Sequence, residues 1–427
     1  MKFQKICILG LGYIGLPTAS TLANKGIQVV GVDVNPQVVK SLRNGKVHLF
    51  EPGLHKLVEK ALVSGKLVVR DQPEPADAFI IAVPTPFYDD KRADMSFVTS
   101  AAEAIIPHLR PGCLVLLEST SPPLTTCNLV APILEQSGLK AGDDFYLAYS
   151  PERVLPGQII RELVENDRVV GGVNPASAQA AQDLYTIFVQ GEVVKTDATT
   201  AEMVKLMENT YRDVNIAIAN EFSRLADRFG VDVWEAISLA NRHPRVNILR
   251  PGPGVGGHCI SVDPWFFVEA APDLVNLIRT AREVNDAQPA FAAALVQRAL
   301  GNLKGKRIAA LGLAFKPDVD DLRESPAIEV VHQLRDAGAM VSVYEPYKPD
   351  FSIEGVHATD SFADVVKDAD ALVLLVAHAE FKNLDPRQVA NLTGARVVVD
   401  TVNGWQPSAW ITAGFNLYRL GVGSRNE

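Results

Sequence analysis

A thiol and a carboxylate four residues apart, Cys259 and Asp263, follow the run Pro251-Gly252-Pro253-Gly254-Val255-Gly256-Gly257-His258. Proline fixes φ and removes a donor, while glycine permits left-handed backbone and close approach to a ligand. Such a run forms no regular element. It offers bare backbone N–H groups to a ligand and carries a nucleophile at its end. A cysteine needs activation to act this way, because the thiolate is the reactive form and the free pKa is about 8.5. Lone cysteines are more often small buried hydrophobes, so the loop alone does not decide the matter. Lys205 and Asn209 lie four apart in a helical pattern and point the same way, with Arg212 seven residues from Lys205 on that side. They suit donors aimed at developing oxygen charge, although a solvated face is the commoner use of such residues. Asn241-Arg242-His243-Pro244-Arg245 carries basic groups that suit a diphosphate. Glu152 and Arg153, inside Ser150-Pro151-Glu152-Arg153-Val154-Leu155-Pro156-Gly157, stand between prolines at a strand end, where an exposed ion-pair loop is an equally good reading.

The elements that must position these residues begin at the N-terminus. Residues 5–9 read as a buried parallel strand, followed by Gly10-Leu11-Gly12-Tyr13-Ile14-Gly15. A helix then runs to about Lys25, Gly26 stops it, and a second strand (28–32) ends at Asp33. In this context GxGxxG is a strong dinucleotide signal. Gly10 allows the tight turn, Gly12 lets backbone meet a pyrophosphate, and Gly15 lets helix and strand touch. The helix N-terminus favours the phosphate charge. Asp33 suits the ribose hydroxyls of NAD and would repel a 2′-phosphate. Strands at 78–83 and 113–118 end in Thr/Ser/Pro segments, so Thr85 and the 120–126 segment with Thr126 are candidate cofactor contacts, with plain helix capping as the alternative.

A boundary falls near 190–200. Thr199 and Glu202 form a capping-box pattern for a helix that continues to about Phe229, stopped by Gly230. It would span roughly 45 Å and is apolar on more than one face, which suits both a bridge between domains and a dimer contact. A helix over about 273–300 follows, and then the α/β pattern restarts with strands at 307–312, 340–344, 371–376 and 396–400. Ser325 and Pro326 fit N-cap and N1 positions. This half lacks GxGxxG, which argues against a second dinucleotide site. Residues after about 414 read as a loose tail. The fold class is thus α/β: two Rossmann-like domains joined by a long helix and a helical middle, divided as 1–195, 196–300 and 301–427.

Composition sets outer limits. The chain has 427 residues, 47% hydrophobic and 21% charged, with a formal net charge of −9. That charge argues against nonspecific nucleic-acid binding, and no apolar run reaches the ~18 residues of a membrane span. Four scattered cysteines without a CxxC pair suggest a reducing cytoplasm, no disulfide framework and no structural metal site.

Taken in order, GLGYIGLPTA (10–19), VPTP (83–86), ESTSP (118–122), SPERVLPG (150–157), AEMVKLMENTYRDVNIAIANE (201–221), NRHPRVNIL (241–249), GPGVGGHC (252–259) and LAFKPDVDDLRESPA (313–327) resemble the UDP-glucose/GDP-mannose dehydrogenase family along nearly the whole chain. ERVLPG, NRHPRVNIL and His258-Cys259 are most similar to the branch that oxidises UDP-N-acetyl-D-mannosamine; the UDP-N-acetylglucosamine and UDP-glucose branches are the alternatives. The resemblance implies an enzyme that uses NAD to oxidise a UDP-sugar at C6, in two steps, to the acid used in surface polysaccharides; the apolar faces of the long helix and the scattered cysteines add the expectation of a cytoplasmic homodimer. It implies Cys259 as nucleophile, Lys205 and Asn209 as stabilisers of charged oxygen, and Asp263 and Glu152 as organisers of protons and water. Arg153, Val154, Arg212, His243, Arg245 and Gly256 would line the UDP-sugar pocket together with Lys205 and Asn209. Phe315, Lys316 and Arg323 would reach it from the C-terminal domain, and Tyr13, Ile14, Asp33, Thr85 and Thr126 would hold NAD. Two residues depart from the family pattern: Ser261 stands where proline is usual, and Asn403 where a basic residue is common. The Ser261 hydroxyl is expected to recover a hydrogen bond that a stiffer loop would not need.

Overall fold

In the structure, a computed structural model that describes residues 1–49, 51–88, 90–155 and 157–423, the chain forms two sheets. The first contains β1 (Lys5–Leu9), β2 (Gln28–Val32), β3 (Leu67–Arg70), β4 (Ala78–Ile81), β5 (Leu114–Leu117), β6 (Tyr146–Tyr149), β7 (Arg168–Gly172) and β8 (Val193–Asp197). Their order is β3-β2-β1-β4-β5-β6-β7-β8, parallel throughout except where β6 meets β7. β4 and β5 read AFII and LVLL and are buried at every position, as strands covered on both faces require. The order reverses at β1, so the carboxyl ends of β1 and β4 form the switch point where ligands of such sheets bind.

The second sheet contains β9 (Arg307–Leu311), β10 (Met340–Tyr344), β11 (His357–Ala358), β12 (Ala371–Leu374), β13 (Val397–Asp400) and β14 (Asn416–Arg419), in the order β11-β10-β9-β12-β13-β14 and wholly parallel. Between the sheets in sequence runs a 32-residue helix, Ala198–Phe229, followed by shorter helices. The chain forms two compact units: Met1–Glu208 with Trp265–Ala271, and Asn209–Pro264 with the chain from Pro272 onward. Each carries its own apolar core on both faces of its sheet.

Three expectations need correction. The tail after 414 is not loose: residues Asn416–Arg419 pair in register with Val397–Asp400, and the Gly421 carbonyl accepts the Val233 N–H at 2.9 Å. A four-residue edge strand of half-buried and exposed residues gives little periodic signal. The helix over 273–300 is two helices, Asn276–Asp286 and Gln288–Leu300. Pro289 has no N–H to continue the first ladder, so it starts a new helix instead. Thr199 and Glu202 do not form a capping box. The long helix starts at Ala198, and Asp197 takes the cap by accepting the Thr200 N–H at 2.9 Å and its hydroxyl at 2.6 Å. Glu202 is fully buried and turned elsewhere. Residues 424–427 and Pro156, part of the 150–157 motif, lie outside the described residues.

Candidate active site

The glycine turn of the first unit is built as its spacing requires. Gly10 has φ +94°, and a Cβ there would stand 2.3 Å from the Ala82 carbonyl oxygen. A Cβ on Gly15 would stand 1.8 Å from the Gly10 carbonyl oxygen, so helix and turn touch only because it is absent. A Cβ on Gly12 would meet nothing within 4 Å, which leaves room for a phosphate at the helix N-terminus. Asp33 closes the turn: one carboxylate oxygen accepts the Leu11 N–H at 3.0 Å and the other the Asn35 N–H at 2.8 Å. Both oxygens keep lone pairs for ribose hydroxyls. These residues fit a dinucleotide. Tyr13 and Ile14 lie half-buried in the turn, and Thr85 half-buried in the loop after β4. That loop is stitched to the one after β5, since Ser119 Oγ donates to the Val83 carbonyl (2.7 Å) and accepts the Val83 N–H (3.0 Å). Thr126 is fully buried; its hydroxyl and N–H both donate to Glu202, at 2.6 and 2.7 Å, and Glu202 also accepts the Leu124 N–H. Leu124, at φ +74°, is one of the non-glycine residues in left-handed backbone.

Beyond β6, the Glu152 carboxylate faces inward. One oxygen accepts the N–H groups of Arg153 (2.7 Å) and Val154 (3.1 Å), and the other pairs with Arg168 at 2.5 Å. The Glu152 carbonyl in turn accepts the Lys205 ammonium at 2.7 Å. Arg153 bonds Glu208 at 2.8 Å and the Asp167 carbonyl. Glu152 therefore holds a turn and has little freedom to move a proton. In the first unit the structure thus joins Glu152, Arg153, Val154 and Lys205.

In the second unit it joins the thiol loop to its supports. Cys259 is exposed, and its carbonyl accepts the N–H groups of Val262 (3.2 Å) and Asp263 (2.8 Å), which turns the chain into helix Asp263–Ala270. Asp263 is buried and accepts from the Asn209 amide at 2.6 Å. Ser261 donates to the Gly257 carbonyl, the bond expected to compensate for the missing proline. The 247–252 approach is laced to the long helix, with the Leu249 N–H on Asn215 (3.3 Å) and the Gly252 N–H on Asn220 (3.0 Å). Gly256 lies against Glu324, Pro326 and Phe315, and Gly257 against the Phe315 ring, where no Cβ fits. The Gly257 N–H also donates to the Arg323 carbonyl at 3.2 Å. Arg323 makes a two-pronged pair with Asp321, at 2.7 and 2.8 Å. Burial pushes Asp321 up, but the bonds and charge of Arg323 hold it below the usual carboxylate range. Desolvation and the Arg323 charge push His258 down against the pull of Asp321. Arg212 on the long helix and His243 and Arg245 on the following loop are exposed, and Asn241 clamps that loop by bonding both the N–H and the carbonyl of Ile248.

Sequence reasoning missed two buried groups. Glu345 accepts the N–H groups of Leu313 (2.7 Å) and Ala314 (3.0 Å) and bonds His378, whose other nitrogen accepts the Asp318 N–H at 2.9 Å. That pair holds the loop bearing Phe315 and Lys316, whose ammonium lies 5.6 Å from the Phe315 ring centre. The other group surrounds Arg168. Neither has a spacing signature, because its members meet only through the fold. Asn403, with φ +52°, accepts from Arg419 at 2.7 Å, so an arginine reaches the position where the family pattern puts a base.

Three sequence models match in chain order: UDP-glucose/GDP-mannose dehydrogenase family, NAD binding domain at 4–189, central domain at 199–287 and UDP binding domain at 309–407. The NDP-N-acetyl-D-galactosaminuronic acid dehydrogenase of Ralstonia solanacearum is 51% identical over 415 residues, covering 95% of this chain and 97% of that protein. The UDP-N-acetyl-D-mannosamine dehydrogenase of Methanocaldococcus jannaschii is 47% identical over 426 residues, covering 98% and 97%. The solved structure of a UDP-D-ManNAc dehydrogenase from Pyrococcus horikoshii matches with a TM-score of 0.92 at 43% identity, covering 99% of this chain and 100% of that one.

Proposed function

The chain belongs to the UDP-glucose/GDP-mannose dehydrogenase family and is an NAD-dependent dehydrogenase, and from that premise we propose that it oxidises UDP-N-acetyl-D-mannosamine at C6 to the uronic acid. The observation that carries the reading is Cys259, exposed at the end of a loop whose Gly256 and Gly257 admit no Cβ, with the buried Asp263–Asn209 pair following it. Bound NAD⁺ supplies the acceptor for each of the two hydrides that leave the sugar carbon. The chain supplies the rest. Cys259 Sγ adds to the aldehyde left by the first oxidation; the thiohemiacetal loses the second hydride to become a thioester; water cleaves that bond and frees the acid and the thiol. Asn209 and Lys205 donate to the oxygen that carries charge in these steps, and Asp263 orients Asn209. Glu152 fixes the turn beside Lys205. Gly10, Gly12, Gly15, Tyr13, Ile14, Asp33 and Thr85 hold the cofactor, with Thr126 steadying its loop through Glu202. Arg153, Val154, Arg212, His243, Arg245, Gly256, Phe315, Lys316 and Arg323 hold the UDP-sugar.

The matched stretches support a division of labour at about 195 and 300, with the NAD part first and the UDP part last. The long helix leaves Met203, Met207, Tyr211, Ile218, Phe222, Leu225 and Phe229 exposed, which supports a homodimer through it. A monomeric mass by light scattering at micromolar concentration would remove that part of the reading. No helix among the described residues is long and apolar enough to cross a membrane. We place the enzyme in the cytoplasm, where its four cysteines stay reduced.

A second reading has a specific observation behind it: the relative named for N-acetyl-D-galactosaminuronic acid matches at 51% identity. NADH formation from UDP-ManNAc, UDP-GalNAc, UDP-GlcNAc and UDP-glucose separates the readings. UDP-ManNAc is expected to give the highest kcat/KM; a tenfold preference for another sugar sinks that assignment and leaves the chemistry standing.

A further inference from the structure

We propose that the buried cluster Tyr185–Glu118–Arg168–Glu152 is a positioning device that sets where the Lys205 ammonium points. This rests on the reading of Lys205 as a stabiliser of charged oxygen. Arg168, the first residue of β7, is 5% exposed, while Glu118 is 3% and Glu152 8% exposed. Its guanidinium bonds Glu152 at 2.5 Å, lies 3.6 Å from Glu118 and stacks 4.3 Å from the Tyr185 ring centre. The Tyr185 hydroxyl donates to the same Glu118 oxygen, and Ser150 Oγ accepts from Arg168 at 3.4 Å.

The far end of this cluster is a backbone carbonyl. With one Glu152 oxygen on Arg168 and the other on two backbone N–H groups, the 152–154 turn has one shape, and its Glu152 carbonyl accepts Lys205 Nζ at 2.7 Å. A lysine is a point charge on a flexible four-carbon stem, so an anchor is what gives it a direction. Stability alone does not account for the cluster. Buried ion pairs are often replaced by apolar residues without loss, whereas a planar fork fixes geometry that an apolar side chain cannot. Burial, aided by the charge of Glu152, raises the Glu118 carboxyl to about 7 against the pull of Arg168 and Tyr185. Below that pH the Arg168 charge goes to Glu152, the member that shapes the turn.

Arg168→Lys keeps the charge and removes the fork. In the holoenzyme it is expected to lower kcat about tenfold or more, because misplacements near 1 Å cost up to ~10²-fold, with both KM values within about twofold. Added to the Lys205→Met variant, the same change should lower the residual rate by less than about twofold, since the group being positioned is gone. Equal losses in both backgrounds, or a folded Arg168→Lys enzyme with wild-type kcat, overturn the inference while leaving Lys205 its role. Wild-type kcat in Lys205→Met removes that role, and the inference falls with it. If Arg168→Lys does not give a folded protein by thermal melting and NAD binding, Glu118→Gln takes its place. It keeps an acceptor for Tyr185 and weakens the hold on Arg168. Its effect on kcat is then compared with and without Lys205→Met and read by the same criterion.

Discussion

Gly256→Ala is expected to remove most of the turnover, while Gly252→Ala, four residues earlier in the same loop, is expected to be silent. A Cβ on Gly256 would stand 2.4 Å from the Glu324 carbonyl oxygen, 2.8 Å from Pro326 Cδ and 2.9 Å from Phe315 Cβ, where ordinary contact begins at 3.4 Å. The worst overlap is therefore about 1 Å, and it is with backbone. Glu324 already sits at φ +50° and Pro326 is a fixed ring, so those neighbours have little room to give. Relief has to come from the 256–259 segment. Overpacking of this kind costs about 1–3 kcal/mol, and a shift near 1 Å at the nucleophile costs up to ~10²-fold in rate. At Gly252 a Cβ meets nothing within 4 Å. The assay is steady-state NADH formation with a titration of NAD and a thermal melt. The expected result is a fall of roughly 10–100-fold in kcat/KM for Gly256→Ala, with NAD affinity unchanged because Gly10, Gly12 and Asp33 lie in the other unit. Wild-type kcat/KM in Gly256→Ala, or equal damage from Gly252→Ala, refutes the steric reasoning.

Cys259→Ser should bind NAD normally in a fluorescence titration while steady-state turnover falls at least ~10²-fold; wild-type turnover would exclude Cys259 as nucleophile. Arg282→Met strips the buried Asp213 of its 2.5 Å ion pair, leaving the Asn285 amide at 2.8 Å. Urea unfolding should show a loss of about 3–5 kcal/mol, largely recovered when Asp213→Leu is added; a loss under ~1 kcal/mol would mean that the pair is not desolvated. Glu118 ionises near 4.5 when unfolded and near 7 when folded, so the folded chain holds the extra proton between those values. This group's contribution is therefore full below pH 4.5 and lost as pH rises through about 7. Glu118→Gln removes that slope, so the melting temperature of the variant relative to wild type should rise between pH 5 and 8; a parallel pair of curves contradicts it.

Much of this was legible in the chain. The turn at 10–15 sits inside one strand–turn–helix–strand unit, so spacing exposes it, although the neighbour that leaves no room for a Cβ at Gly10 is Ala82, outside that unit. Ser261 is similar, since its partner Gly257 lies four residues away. Glu202 shows the opposite case. Its spacing from Thr199 suits a capping box, but burial offers it two N–H groups and a hydroxyl from the 124–126 loop, and three donors outweigh one cap. Glu118, Arg168 and Tyr185 come from three separate elements and leave no pattern in sequence. Glu152, which its motif singles out, turns its carboxylate to Arg168 and two N–H groups. Residue type and spacing identified the candidate; only the fold shows which way its oxygens face.

On the proposed chemistry, one active centre removes two hydrides from the same carbon through a Cys259 thioester. Complete conversion of a limiting, known amount of UDP-N-acetyl-D-mannosamine, with NADH read by absorbance, tests it most directly. The thioester route predicts two NADH per sugar and a carboxylate product. One NADH per sugar, with an aldehyde accumulating, would contradict it.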